Sequence, residues 1–418
     1  MKKRINIATI VDKMQRATRH LVELCSHNIR YSLLLAVANS SLFTLHSSLL
    51  MGCSSDDETA PEMTSLEVNG YVSGFEEANG ITRGWIPPSD YSIDEILADM
   101  PISVFFAREQ KDGESDNDYK ENMEEEFFYK SSDKWRVSKK NLEATSYYLY
   151  GYIPHEDFVE PKIEHLTGAG KTYADGAVLT LEQLNTVMGY DLCVIIGAKN
   201  GKDDYKADPT DYSVTGLKRG DFRYEARTTG TGGTGGNYVY LLFDHLYAAM
   251  RFNIRVHRDY NALRTIKLKE LSLQAFTGDT PTKKKMKAVI TIEANASGDN
   301  PLTNIVFTPS GTETGTGTFY TNEDGEELNT DYKTFQGSFM PDAVTKVNLT
   351  TTYDVYDLNN NLIRKDCKAT NTLDITKLFL GQTSAKRGHR YTINLTVQPT
   401  YLYMLSEPDL DNPTVKVE

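Results

Sequence analysis

The residue best suited to a covalent reaction is Cys53. It ends the run Leu50-Met51-Gly52-Cys53 and opens onto Ser54-Ser55-Asp56-Asp57-Glu58. A small residue before a cysteine, at the end of an apolar stretch, is what a lipoprotein-processing peptidase requires. Glycine fits the pocket on the amino side of the cut, and the cysteine thiol takes a diacylglycerol. Tyr31–Leu50 holds no Asp, Glu, Lys or Arg, and Arg30 precedes it. A basic flank, an apolar segment and a small residue at the cut are the parts of a secretory signal. Asn39, Ser40, Ser41, His46, Ser47 and Ser48 make a poor bilayer-spanning helix, which needs about 20 mostly apolar residues. Residues 1–52 are therefore expected to be a removable address, with Met14 as an alternative start. Residues 53–63 follow as a lipidated, acidic tether at a membrane surface.

Elsewhere, reactive side chains are thinly spread. Gly230–Gly236 lacks the Lys-Ser/Thr that would reach phosphates, so it is no P-loop. His155-Glu156 has no second histidine one helical turn on, which excludes a zincin helix. No Gly-x-Ser-x-Gly elbow occurs. His245 and His257 flank a strand-like segment and are expected at the core edge or on the surface. Cys193 and Cys367 sit in apolar or alternating surroundings and read as buried free thiols. No local signature brings a histidine to Cys193. The acidic stretches Asp112–Asp118 and Asp409-Leu410-Asp411 offer oxygen ligands for calcium, but neither follows EF-hand order, and both read as solvated loops. The pattern predicts no catalytic residue, no cofactor and no metal, hence a non-enzymatic protein. One row of aromatics stands out. Tyr148, Tyr150 and Tyr152 share a strand face. Exposed, the row could stack on sugar rings, with Tyr148 and Tyr150 as the candidate glycan contacts. Buried, it fills a core, which is the favoured reading.

The elements that must position these residues read as strands. The chain has 418 residues, 45 Lys and Arg against 58 Asp and Glu, and a net charge of −13. Lys2, Lys3, Arg4, Lys13, Arg16, Arg19 and Arg30 face only Asp12 and Glu23 before Cys53, so the remainder is more acidic still. That balance argues against nucleic acid as a partner. Ser65–Phe75 alternates as a first strand with a slip near Gly70. Ile102–Ala107, Phe127–Tyr129, Trp135–Val137, Tyr147–Ile153 and Leu192–Ala198 read as strands, and Leu179–Met188 as a short helix with Thr180 at its N-cap. Arg227–Gly236 is almost without side chains able to join a core and reads as a connector. It divides the chain into domains at 64–230 and 237–418. Beyond it, Tyr238–Val256, Ile266–Ala275, Ala288–Glu293, Thr345–Tyr356 and Tyr391–Val397 alternate cleanly. The class is all-β, with sandwich domains and few helices.

Several of these features resemble the Bacteroides-type fimbrillins, pilin lipoproteins of surface fimbriae. They are the lipobox, the alternating first strand followed by Thr82-Arg83, the tyrosine strand ending in Tyr152-Ile153-Pro154, and Asp244–Phe252. Gly388-His389-Arg390-Tyr391-Thr392-Ile393-Asn394-Leu395-Thr396-Val397 is similar to that family's strand near the C-terminus. The resemblance implies two tandem transthyretin-like Greek-key β-sandwich domains and export to the outer membrane on the lipid at Cys53. It also implies a cut between Arg83 and Gly84 that removes the first strand. A strand of another pilin subunit would fill the vacancy, and Tyr401–Glu418 is the candidate donor. Fimbrial adhesion to host or bacterial receptors is the implied role. A glycan-binding surface lipoprotein and a non-polymerising anchor are the alternatives.

Overall fold

The computed structural model describes residues 63–78, 91–92, 100–110, 123–131, 134–140, 145–200, 217–226, 237–294, 300–341, 343–401 and 408–418. Cys53, Arg83, Gly84, the connector at 230–236 and Asp112–Asp118 lie outside them, as do the signal and nearly all of the tether. Pro61–Glu418 clusters as one compact unit.

The first strands are β1 (Met63–Ser73), β2 (Glu76–Glu77), β3 (Tyr91–Ser92), β4 (Ile102–Arg108), β5 (Met123–Ser131) and β6 (Lys134–Lys140). They are followed by β7 (Ser146–Ile153), β8 (Glu160–His165), β9 (Gly176–Asn185), β10 (Cys193–Asn200), β11 (Arg223–Glu225) and β12 (Asn237–His245). One sheet runs β10-β12-β1-β6-β5-β4-β7-β11, with β3 beside β1. It closes on itself because β7 also pairs with β10, Ile153 opposite Cys193. Every residue of β4 is buried, as expected of a strand covered on both faces, and its sequence is correspondingly apolar but for Ser103 and the terminal Arg108.

The remaining elements are β13 (Ala248–Val256), α1 (Arg258–Asn261), β14 (Thr265–Thr277), β15 (Thr280–Pro281), β16 (Lys283–Glu293), β17 (Leu302–Thr314) and β18 (Gly317–Leu328). β19 (Lys333–Met340), β20 (Lys346–Tyr356), β21 (Leu362–Asp374), α2 (Ile375–Leu378), β22 (His389–Tyr401) and β23 (Pro408–Val417) follow among the described residues. Two sheets, β19-β13-β22-β2 with β23 on β22, and β15-β14-β20-β21 with β18 on β14, enclose a second core. The all-β class follows the sequence pattern, and Tyr391, Ile393, Leu395 and Val397 all face that core.

Three features differ from the sequence reading. Leu179–Met188 is not a helix: Gly176–Asn185 is β9, with Ala177, Leu179, Leu181 and Leu184 fully buried. Its partners decide the matter, since β8 and β16 hydrogen-bond to its two edges. There is no slip at Gly70. β1 keeps an unbroken register with β12 from Leu66 to Val72, and consecutive residues are buried because both faces are covered. Finally, the cores do not divide at the connector. β12 lies in the first sheet, and β16 and β17 return from the second half to form β17-β16-β9-β8 over the first core. Gly176, at φ +141°, permits that return, because a Cβ there would meet the Ile292 carbonyl oxygen at 2.1 Å.

Candidate functional site

β1 is seated in the middle of the closed sheet. It runs parallel to β12 and antiparallel to β6, so Val68 lies between Val239 and Trp135, and Leu66 between Asn237 and Val137. Leu66, Val68 and Val72 are 0% exposed and Tyr71 3%. Burying such a side chain is worth about 1.5–3 kcal/mol. Four together rival the ~5–15 kcal/mol that holds a whole domain folded. Trp135 forms one wall, its indole N–H donating to the Met100 carbonyl at 3.2 Å. Tyr240 forms another, its ring centroid 6.1 Å from that of Tyr71.

The same segment then crosses to the second core. The Glu76 amide donates to the Gly388 carbonyl and the Ala78 amide to the Arg390 carbonyl, both at 2.8 Å. Glu77 accepts from Arg251 Nη2 and Thr392 Oγ1, each at 2.9 Å, with Arg390 Nη1 at 3.7 Å. β2 therefore runs parallel to the start of β22. β23 pairs with the later part of β22, Leu395–Tyr401. Since β13 occupies the opposite edge, the opening segment and the last strand share one edge of β22.

β23 is anchored in its own chain. Val415 is 5% exposed in the second core, and Tyr353 Oη donates to the Pro413 carbonyl at 3.2 Å. The Glu418 carboxylate accepts from Thr396 Oγ1, Tyr332 Oη and Arg255 Nη2. Those hydrogen bonds pull its pKa down to about 2. Asp411, a candidate calcium ligand from sequence, instead takes the Arg264 guanidinium at 3.1 Å.

Between β1 and β2, the ring of Phe75 stacks on His245, centroids 3.9 Å apart and planes 23° from parallel. His245 is the last residue of β12, and its register partner across the ladder is Cys193, the first of β10. Asp191 stands two residues before Cys193, on the same face. The pairing thus brings together three groups far apart in sequence. Asp191 Oδ2 lies 2.7 Å from His245 Nδ1 and 2.9 Å from Cys193 Sγ, and Sγ is 3.7 Å from Nδ1. The His245 side chain is 1% exposed and that of Asp191 0%, so the histidine is not at an edge as expected. Arg387 Nη1 braces the turn by donating to Asp244 Oδ2 at 2.9 Å and to the His245 carbonyl at 3.1 Å. Burial pushes the Asp244 carboxyl up, but the charges of Arg387 and His245 outweigh it and leave the group below its usual range.

The trio is not arranged for nucleophilic catalysis. Thiol and carboxylate meet the same ring nitrogen, whereas a relay needs them on opposite nitrogens. Burial pushes the Cys193 thiol well up, so it is a protonated donor rather than a thiolate. Cys367 is only partly buried and lies in β21, apart from this cluster.

The tyrosine row fills the core. Tyr150 and Tyr152 are 0% exposed. Tyr150 Oη donates to the Tyr173 carbonyl, and its ring centroid is 4.6 Å from that of Phe222, so it presents no face to a sugar. Tyr148 is partly buried and donates to Glu109 Oε1 at 2.7 Å, beside the Arg223–Glu109 ion pair. Of the two candidate glycan contacts, Tyr150 is packed in the core, the reading favoured from sequence, and Tyr148 lies in a surface hydrogen-bond network.

No family model matches the chain, and no curated protein matches it. Among solved structures it is similar to a candidate cell adhesion protein from Bacteroides fragilis, at 12% identity and TM-score 0.38 over 84% of this chain and 96% of that one. A fimbrial protein from Bacteroides vulgatus aligns at 14% identity and TM-score 0.33, covering 85% and 98%. The fimbrial anchor protein Mfa2 from Porphyromonas gingivalis aligns at 10% identity and TM-score 0.27, covering 84% and 95%. Identities and TM-scores this low carry no functional argument.

Proposed function

We propose that this chain is a non-enzymatic subunit of a surface fimbria, exported as a lipoprotein on Cys53, with β1 serving as a removable plug. Cleavage between Arg83 and Gly84 frees the segment, and an extended strand of a second subunit takes the seat between β12 and β6. One observation carries this reading: a strand near the beginning of the chain supplies four fully buried side chains to the middle of a closed sheet. Its loss leaves an apolar trough lined by unpaired backbone N–H and C=O groups, which is costly in water. An incoming strand restores ladder and core together. Donor and seat lie on different parts of the subunit, so the contact is head-to-tail and propagates. β23 is the candidate donor, because it is an edge strand lying beside the segment that leaves. In the isolated chain it is committed to β22 and latched at Glu418, which favours a second reading of the same subunit as a terminal anchor.

The test is N-terminal sequencing of material sheared from cells, alongside an Arg83→Ala variant. The polymer is expected to begin at Gly84, and the variant to remain monomeric and cell-bound. Polymers beginning at Cys53, or formed equally by the variant, would refute the plug. The anchor reading expects the unsheared, cell-bound fraction to hold this chain at the end of the fibre.

A further inference from the structure

We infer that Asp191, Cys193 and His245 form a binding site for a zinc-like divalent cation, clipping β10 to β12 beside the seat of β1. The donor set is one sulfur, one ring nitrogen and one carboxylate oxygen, and each ligand atom lies within 4.8 Å of the others. Zinc takes this mixture, whereas calcium and magnesium take oxygen. The triangle of 2.7, 2.9 and 3.7 Å is small enough that one point beside its plane lies about 2.0–2.3 Å from all three atoms.

A purely hydrogen-bonded trio leaves one group unexplained. The thiol and Nδ1 both serve Asp191 Oδ2, while Oδ1 is buried with no hydrogen-bond partner among the described residues. A buried carboxylate oxygen without a donor is costly, and a cation beside the carboxylate offsets that cost. On binding, the thiol proton leaves to solvent and the thiolate replaces it as ligand, without change of oxidation state. The surroundings are of the kind that hold ligands in place. Arg387 and Asp244 fix the backbone at His245, and Phe75 covers the imidazole face. β12 is the immediate neighbour of β1 and β10 the next strand, so the ion would brace the wall that an incoming strand must find intact. This does not depend on strand exchange, since the ligands come from β10, β12 and the turn before β10.

The test uses the full chain, stripped with chelator and titrated with Co2+ and Zn2+. Co2+ is expected to give a near-ultraviolet sulfur-to-metal band at one equivalent. That band disappears in Cys193→Ser and persists in Cys25→Ser, Cys53→Ser and Cys367→Ser. Zn2+ is expected to displace it and to raise the melting temperature of the parent chain. His245→Gln should weaken affinity by more than about tenfold. Should Cys193→Ser fail to fold, zinc X-ray absorption on the parent reads the site directly: one sulfur at about 2.3 Å with nitrogen and oxygen at about 2.0–2.2 Å. An all-oxygen shell, a band that survives Cys193→Ser, or a melting temperature indifferent to Zn2+ would each overturn the site.

Discussion

A single carboxylate decides how firmly the last strand is held. Glu418 gathers Thr396 from β22, Tyr332 from the loop before β19 and Arg255 from β13, so three elements converge on one side chain. Its folded pKa, about 2, lies below the ordinary 4.5. A carboxyl depressed on folding stabilises the native state above its unfolded pKa, and that contribution is lost as pH falls through the folded one. The latch is therefore fully closed at neutral pH and opens as pH drops from about 4.5 towards 2. Protection factors of the Val415 and Val417 amides, taken against intrinsic exchange at each pH, should fall over that window, while those of β1 stay high. Glu418→Gln removes the ionisable group, so its β23 protection should already be low at pH 7 and should be flat with pH. Exchange in β23 that ignores both acid and the substitution would show that the strand is held by Val415 and backbone pairing alone.

At the scale of elements, the proposed exchange treats β1 as a part that can be replaced, unlike the strands around it. Leu66→Ala removes buried methyl groups at a cost of about 2–5 kcal/mol, a large share of a domain's net stability. In the intact chain it should lower the urea midpoint markedly. In polymers that begin at Gly84 it should change nothing, because the altered side chain has left. Polymers as fragile as the precursor would show that β1 stays in place. Much of this architecture was legible beforehand, and what was not has a physical cause. Period-two runs such as Tyr391–Val397 declare their buried face whatever pairs with them. Leu179–Met188 is different, because its leucines fit a short helix as well as a strand and only β8 and β16 choose between them. The crossing of β16 and β17 leaves no local trace beyond Gly176, whose missing side chain matters only once Ile292 is beside it. Asp191, Cys193 and His245 illustrate the same limit. One apolar run opening on Asp-Leu-Cys and another ending in Asp-His do not reveal that they pair antiparallel, and the cluster exists only through that register.

Across the whole molecule, one short segment is fastened at two places of unequal strength. Leu66, Val68, Tyr71 and Val72 are buried in the first core, whereas Glu76–Ala78 lies along β22 by two backbone hydrogen bonds and the ion pairs of Glu77. Glu77 is 40% exposed, and ion pairs of that kind are worth about 0.2–1 kcal/mol each. The second fastening is therefore the weaker, and under the proposed cleavage at Arg83 release should begin there. Local openings of this kind draw on regions with few buried contacts, and the two ends of the segment need not open together. Glu77→Lys sets a cation against Arg251 and Arg390, so it should free β2 without touching the side chains in the first core. Exchange of the Glu76 and Ala78 amides, bonded to Gly388 and Arg390, should speed several-fold while Leu66 and Val68 remain protected. An arginine-specific protease should then cut the variant after Arg83 faster than the parent, with little change in the melting temperature of the first core. If β1 lost protection in step with β2, the segment would leave as one piece and its attachment to the second core would set no order of events.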